Sequence, residues 1–251
     1  MSSADLTLSV VSHGQAELIQ KLLSDLDALP GLAGVHVVLT LNIPEQEPRW
    51  QDHTRLRIQV IRNTAPQGFG HNHNAAFAHC RTRYFTVLNP DLRFPSDPFP
   101  RLLQALRDDP GAALAAPRVL NSAGGDEDSV REMLTPWSLL RRRLSGMRPA
   151  RDEVAQRPGF WVAGMFLLFV ADDYRRLGGF DQRFFMYCED FELCLRVHIA
   201  RRRILVVPDA SVVHDARRDS HRSLRHLRWH LASLLRVWLS ASFLRVAFGI
   251  R

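Results

Sequence analysis

Residues 6–41 read LTLSVVSHGQAELIQKLLSDLDALPGLAGVHVVLTL. An apolar run, Leu6 to Ser12, is followed by Leu18, Leu22, Leu26 and Leu29 at helical spacing within residues 15–29. A second apolar run, Val35 to Leu41, closes the unit. Strand, helix and strand in this order predict a βαβ unit, because parallel neighbours need a crossover that a helix supplies. The alternation continues. Arg57 to Arg62 reads as a third strand. A glycine turn at Gly68-Phe69-Gly70, a helix from about Asn72 to Arg81 and a strand from Tyr84 to Leu88 come next. That strand stops at Asn89-Pro90-Asp91, and a helix near Pro98 to Arg107 and a strand near Ala112 to Val119 follow. The fold class expected is α/β, with a Rossmann-like, mostly parallel central sheet flanked by helices.

Outward from this core the pattern changes twice. Residues 121–157 lose periodicity: GGDEDS is an acidic turn and TPWSLLRRRLSG carries three consecutive arginines, so a mobile or partner-facing excursion is expected. Order resumes at Phe160 to Ala171, FWVAGMFLLFVA, too short to span a bilayer and therefore expected as one buried strand. A short helix, the turn Gly178-Gly179-Phe180-Asp181 and a helix starting near Asp190 come next. Beyond them lie a strand at Ile204 to Val207 and an extended piece reaching His214. Residues 220–251 read as helix throughout, a basic amphipathic region beyond a main domain of residues 1–219.

Composition narrows the function classes. Of 251 residues, 46% are hydrophobic and 24% charged, which excludes a disordered or collagen-like chain. Cys80, Cys188 and Cys194 are three in number with no metal-ligand spacing, which excludes a zinc ribbon and a disulfide framework and suits a reducing cytoplasm. The opening MSSADLTLSV has neither a basic n-region nor a long apolar run, so no signal peptide is expected. The net charge of +7 is carried by arginine, Lys21 being the only lysine, and it points to anionic partners. Nucleic acid is not among them, since no zinc-finger spacing or RNP-like strand accompanies the charge.

Three stretches have residue types suited to chemistry. Asn89-Pro90-Asp91 leaves a carboxylate at the carboxyl edge of a strand, where open α/β sheets bind ligands, and such a carboxylate can hold Mg²⁺ or Mn²⁺ against a diphosphate. An ordinary Pro-Asp turn explains the same residues. Cys188-Glu189-Asp190-Phe191-Glu192 packs three carboxylates at a helix start behind the aromatic run FDQRFFMY. Helix capping accounts for them, and so does a general base with a raised pKa. His214 ends the apolar VVPDASVVH, where it is either a core histidine or a nitrogen ligand for a divalent ion. No GxGxxG opens a helix after the first strand, so a nicotinamide enzyme is not supported.

Taken in order, five blocks resemble a family-2 inverting glycosyltransferase of GT-A fold, rhamnosyltransferase-like branch. They are the opening strand with VVSHG, NTAPQGFGHNHNAA, VLNPD, FWVAGMFLLF, and LGGFDQRFFMYCEDFELCLR with its trailing VPDASVVH. The resemblance implies a nucleotide-diphosphate-sugar donor, a divalent cation and direct displacement at the anomeric carbon. It places Asp190 as the base with Glu189 its acidic neighbour. Asp91 and His214 become metal ligands, with Asn89 standing where the family's Asp-X-Asp signature begins. Ser12, His13, Asn42, His73, Asn74, Asn89 and Asp91 fall on the donor side; Trp161, Gly164 and Glu192 fall on the acceptor side.

The function this implies is transfer of a sugar, rhamnose from deoxythymidine-diphosphate rhamnose, to a glycan or lipid-linked saccharide in surface polysaccharide synthesis. A nucleotidyltransferase accounts for Asp91 alone. A catalytically degenerate domain that binds sugar nucleotide or lipid as a partner subunit accounts for Asn89. In the last helix Leu224, Leu227, Leu231, Leu234, Leu235 and Trp238 form one apolar stripe, with Arg222, Arg225, Arg228 and Arg236 at other positions. A basic helix of this kind lies at an anionic membrane surface or packs on its own domain. The expectation taken forward is a cytoplasmic protein peripheral to the inner face of the membrane, with WSLLRRRL at 137–144 as a second contact.

Overall fold

The computed structural model describes residues 5–53, 55–145, 149–215 and 224–249. Its core is an eight-stranded sheet built from β1 (Leu6–Ser12), β2 (His36–Leu41), β3 (Arg57–Arg62), β4 (Tyr84–Leu88), β5 (Leu92–Arg93), β6 (Ala112–Asn121), β9 (Phe166–Val170) and β10 (Arg203–His214). A two-stranded ribbon, β7 (Val130–Arg131) with β8 (Trp161–Val162), stands beside it. The order across the main sheet is β3-β2-β1-β4-β9-β6-β10-β5. Strands β3, β2, β1 and β4 run parallel, as do β6 and β10, whereas β9 is antiparallel to both its neighbours and β5 to β10. The chain therefore winds outward from β1 to β3, then returns to place β4 on the other side of β1. The carboxyl ends of β1 and β4 form a switch point, the position where such sheets open a ligand crevice.

Helices α1 (Ala16–Ala28), α2 (Phe69–Phe77), α3 (Phe99–Asp108), α6 (Ala171–Leu177) and α7 (Glu189–Ile199) cover the sheet. Apolar spacing determines which face each helix buries: Leu18, Ile19, Leu22, Leu23 and Leu26 of α1 turn inward, as do Phe99, Leu102, Leu103 and Leu106 of α3. Alternate residues of β9 serve two cores. Phe166 and Leu168 face the α1–α3 layer, while Leu167 and Phe169 face the layer that holds α7. Burial on both faces is why the central strands read as unbroken apolar runs.

Four sequence expectations are corrected. The apolar run 160–171 is two strands, β8 and β9, with different partners; the break at Ala163-Gly164-Met165 turns backbone groups toward the crevice, and uniform hydropathy carries no mark of it. Helix α2 starts at Phe69, because the amide of Phe69 donates to the carbonyl of Phe185, 2.9 Å away, with Gly68 as its N-cap. It ends at Phe77, short of Arg81. Segment 121–157 contains order: Asn121 closes a turn back on β6, β7 pairs with β8, and α4 (Pro136–Ser145) and α5 (Arg151–Val154) follow. The C-terminal region is two helices, α8 (Leu224–Trp238) and α9 (Ala241–Phe248), bent by 59°. The Ser240 side chain caps α9 by accepting from the amide of Phe243 at 3.1 Å, which starts a new helix axis.

Candidate active site

A cleft of about 480 Å³ opens over the ends of β1 and β4. Its floor and walls bring together His13, Asn42, His73, Asn89, Asp91, Gly164, Glu189 and Asp190, residues spread over most of the chain. His214 stands behind Asp91.

On the nucleotide side, Asn42 is a hub: its Oδ1 accepts from Asn63 Nδ2 and from the amide of Gln67, each at 2.8 Å, and its Nδ2 donates to the Gln67 carbonyl at 3.0 Å. The amide therefore shapes the wall at 63–67 while its Nδ2 lies 3.1 Å from His13 Nδ1. His73 is fully buried, its Nδ1 2.7 Å from Ser9 Oγ and its Nε2 without a partner. Burial pushes the imidazole down to about 3, so it stands at the cleft as a neutral dipole near neutral pH.

At the sheet edge, β5 pairs with the end of β10 and brings Asp91 and His214 together. His214 Nε2 lies 3.2 Å from Asp91 Oδ1, a charge contact, and both Asp91 Oδ1 and His214 Nδ1 lack a hydrogen-bond partner. Burial lowers the imidazole pKa, but the Asp91 carboxylate, with the charges of Glu127 and Asp215 behind it, holds His214 above its usual value. A buried carboxylate oxygen left open beside an imidazole fits a divalent cation that takes its remaining ligands from phosphate oxygens. No group of three His, Cys, Asp or Glu side chains suited to a metal occurs among the described residues, so any cation here would have at most this pair from the protein.

On the opposite wall Tyr187 and Cys188 adopt left-handed backbone, φ 72° and 64°, immediately before α7. Neither is glycine, so the turn stores roughly 1–3 kcal/mol per residue and needs outside support. The amide of Phe69 holds the carbonyl of Phe185. The Ser233 hydroxyl donates to the carbonyl of Met186 at 2.9 Å, and the Tyr187 hydroxyl lies 2.8 Å from His226 Nδ1. The turn delivers Glu189 and Asp190 at the start of α7. The amide of Gly164 donates to Asp190 Oδ2 at 2.9 Å, fixing one oxygen. Burial raises the pKa of Asp190. Burial, then the charge of Asp190, raises Glu189 well above the carboxylate range, and Glu189 Oε2 has no hydrogen-bond partner. Two neighbouring carboxyls raised in this way do not both ionise readily, an arrangement suited to a general base.

Four expected site residues go elsewhere. Ser12 is fully buried and donates to Glu45 Oε2 at 2.8 Å, so it braces the loop after β2 and does not line the cleft. Asn74 spends its amide on α2's neighbour: Oδ1 accepts from the Phe180 amide (2.9 Å) and the Tyr174 hydroxyl (2.7 Å), and Nδ2 donates to the Phe180 carbonyl (2.7 Å). Glu192 pairs with Arg196 at 2.8 Å and accepts from Ser242 at 2.9 Å, inside the protein. Trp161 is buried, donating to the Glu132 carbonyl at 3.0 Å. These side chains build the scaffold and do not line the cleft.

Most of the GGFD-to-CLR block is scaffold for the same reason. Gly179 has φ +68°, and a Cβ there would sit 2.3 Å from Asn74 Oδ1. Arg196 donates to the carbonyls of Leu177 and Gly179. Residues that sequence reading passed over are Arg131, Gln67, Phe69, Met186, Tyr187 and His226, all at the cleft. Arg131 lies in the unpatterned segment and His226 in the C-terminal helix, where no local signal marks a cleft residue.

Comparisons with known proteins agree with this geometry. The family model described as Glycosyl transferase family 2 matches residues 43–169, slightly more than half the chain. Rhamnosyltransferase WbbL of Escherichia coli (strain K12) is 29% identical over 248 residues, covering 90% of each chain. The N-acetylglucosaminyl-diphospho-decaprenol L-rhamnosyltransferase of Mycobacterium tuberculosis (strain ATCC 25618 / H37Rv) is 30% identical over 158 residues, 59% of this chain and 50% of its own length. Among solved structures, mannosyltransferase PcManGT from Pyrobaculum calidifontis, in complex with GDP-Man and Mn²⁺, superposes with TM-score 0.64 at 18% identity, over 92% of this chain and 64% of its own. GalNAc-T7 with UDP, GalNAc and Mn²⁺ gives 0.65 at 16%, over 96% and 50%. The fold is that of GT-A glycosyltransferases, and the chain is a member of glycosyl transferase family 2.

Proposed function

We propose that this glycosyltransferase moves a sugar, rhamnose from deoxythymidine-diphosphate rhamnose, to a saccharide carried on a membrane lipid, in polysaccharide synthesis at the cell surface. The observation that carries the reading is the opposition of Asp190 to the Asp91–His214 pair across one cleft at the sheet's switch point. Likeness to two rhamnosyltransferases supports the sugar. The name of the mycobacterial relative, which specifies a diphospho-decaprenol acceptor, supports a lipid-linked one.

Asp190, oriented by the Gly164 amide, takes the acceptor proton as its oxygen attacks the anomeric carbon. The strained turn before α7 sets that carboxylate in place ahead of binding. No nucleophile is required in this arrangement, so configuration inverts. Asp91 and His214 would hold Mg²⁺ or Mn²⁺, which when bound neutralises charge on the departing diphosphate. His13, Asn42 and neutral His73 line the donor's path with hydrogen-bonding groups. A screen of sugar nucleotides with each cation, read as release of nucleoside diphosphate, tests this; turnover without deoxythymidine-diphosphate rhamnose reassigns the sugar. Metal-independent donor binding with no turnover on any acceptor would instead favour the partner-subunit reading that Asn89 raises.

The surface suits work at a membrane. Leu227, Leu231 and Leu235 lie along the outer side of α8, each more than half exposed, as is Leu239 just beyond it, and Trp137 and Leu144 of α4 and Phe248 of α9 are exposed too. The stripe expected from sequence divides: Leu234 is buried and Trp238 packs on the core, its Nε1 donating to the Leu134 carbonyl at 2.7 Å, while Leu227, Leu231 and Leu235 face out; Arg222 lies outside the described residues and the side chains of Leu224 and Arg225 are not described. Among the described residues no single helix is long and apolar enough to cross a membrane, and the bent pair α8–α9 reaches that test only in combination. The proposed location is therefore the inner face of an anionic membrane, held by apolar contact and arginine.

A further inference from the structure

Arg131 is the one arginine or lysine among the described residues lining the cleft, against three carboxylates, Asp91, Glu189 and Asp190. Its placement is built. Strand β7 pairs Arg131 with Trp161, and the guanidinium lies over that indole, 4.9 Å from the ring centroid. Its Nε donates to the carbonyl of Asp128 at 2.9 Å and stands 3.2 Å from the Asp128 carboxylate. Fixed by one nitrogen and an aromatic platform, the side chain leaves Nη1 and Nη2 without a hydrogen-bond partner among the described residues. A guanidinium held this way presents a planar fork suited to phosphate oxygens.

Its surroundings say which phosphate. Apart from Asp128, which holds it, Arg131 stands on the base side of the cleft: its partner strand β8 runs through Ala163 into Gly164, whose amide holds Asp190, and the Arg131 charge pulls the pKa of Asp190 down against its burial. The diphosphate of the donor belongs at Asp91 and His214, on the sheet edge. A phosphate at the anomeric position of the acceptor sugar lies within a sugar ring's width of the hydroxyl that Asp190 deprotonates. Helix α8 continues the path: His226 faces the cleft, and Leu227, Leu231 and Leu235 face outward. Sugar, phosphate and lipid in that order match base, arginine and leucine stripe in that order.

We propose that Arg131 recognises the phosphate of an acceptor whose sugar is carried on a phosphate or diphosphate, and thereby sets the acceptor class. The inference rests on the glycosyltransferase reading above but not on the identity of the donor sugar.

Calorimetry on the full chain tests it without turnover. The probes are N-acetylglucosaminyl diphosphate on a short isoprenyl chain, the same sugar as a neutral isoprenyl glycoside, and deoxythymidine diphosphate with Mn²⁺. Wild type should prefer the diphosphate acceptor, and Arg131→Gln should weaken that probe at least about tenfold, the scale of a charge-assisted fork. The neutral glycoside and the nucleotide should change less than twofold. Arg131→Lys, which keeps charge and loses the fork, should fall between, and serves where Arg131→Gln lowers Tm. Equal weakening of the nucleotide would assign Arg131 to the donor phosphate and overturn the proposal. An unchanged diphosphate acceptor, or a wild type without preference for it, would overturn it as well. Failure to turn over deoxythymidine-diphosphate rhamnose would count against the donor assignment alone, since none of these probes contains rhamnose.

Discussion

Position 190 has a carboxylate that is fixed by a backbone amide, removed from bulk water and adjacent to a second acid, conditions that hold a base poised and shift its titration upward. Asp190→Asn is nearly isosteric and keeps the Gly164 contact. It should lower kcat by at least about 10²-fold while leaving the affinity for nucleoside diphosphate within twofold, because a base acts in the transition state. Steady-state rates with parallel calorimetry check this, and a variant retaining a tenth of wild-type kcat would remove Asp190 from the role. The sign of the pH dependence follows from the same shifts. The base must be ionised to act, and its pKa is raised, so kcat/KM should fall as pH falls, with the acid limb above the ordinary carboxylate range. A limb at or below about pH 4, where an unperturbed carboxyl titrates, would contradict the buried placement of the pair.

Single elements are held by a few side chains that sequence reading placed at the ligand. Asn74 ties α2 to the Gly179-Phe180 turn with two hydrogen bonds and to Tyr174 of α6 with a third, and that turn precedes the strained approach to α7. Asn74→Ala leaves the Tyr174 hydroxyl and the Phe180 backbone without partners, and a buried group left so costs about 1–3 kcal/mol. Chemical denaturation should show that loss, with the donor KM moving less than twofold in the folded fraction. A tenfold rise in donor KM at unchanged stability would return Asn74 to the donor site. Helix α8 has a double duty. Leu234 and Val237 are core residues, and His226 and Ser233 support the Met186–Tyr187 turn. Removing residues 224–249 should therefore abolish cooperative unfolding and activity together, so a truncation cannot by itself report on membrane contact.

At the scale of the whole molecule, the exposed large apolar side chains among the described residues lie mostly on α4, α8 and α9 and the turn between the last two. Paired changes confined to the outer stripe, Leu231→Glu with Leu235→Glu, alter that surface while leaving Leu234 and Val237 in place. Flotation with vesicles of anionic phospholipid should show wild type binding at low salt and weakening at high salt, and the double variant remaining at the bottom of the gradient. An unchanged melting temperature would confirm that only the surface was altered. Wild type that ignores anionic vesicles at low salt would leave these leucines without a lipid role.

Much of this arrangement is written in local pattern. Period-3.6 leucines and short apolar runs set the order β1-α1-β2 and place β4 at Tyr84–Leu88, because amphipathic periodicity depends only on neighbours along the chain. Asn89-Pro90-Asp91 and Glu189-Asp190 were legible as chemistry for the same reason: a turn at a strand end and acids at a helix start are local facts. The partners of individual polar side chains were not. Asn74 meets Phe180 across 106 residues of chain, Glu192 meets Ser242 across 50, and Arg131 and His226 reach one cleft from β7 and α8. The insertion of β9 antiparallel between β4 and β6, and the break that aims the Gly164 amide at Asp190, are likewise settled by pairing between distant strands. Hydropathy specifies that a residue is buried but not what it is buried against. A buried polar group takes its function from that neighbour, so only the folded chain decided which of these residues face a ligand and which hold the walls that do.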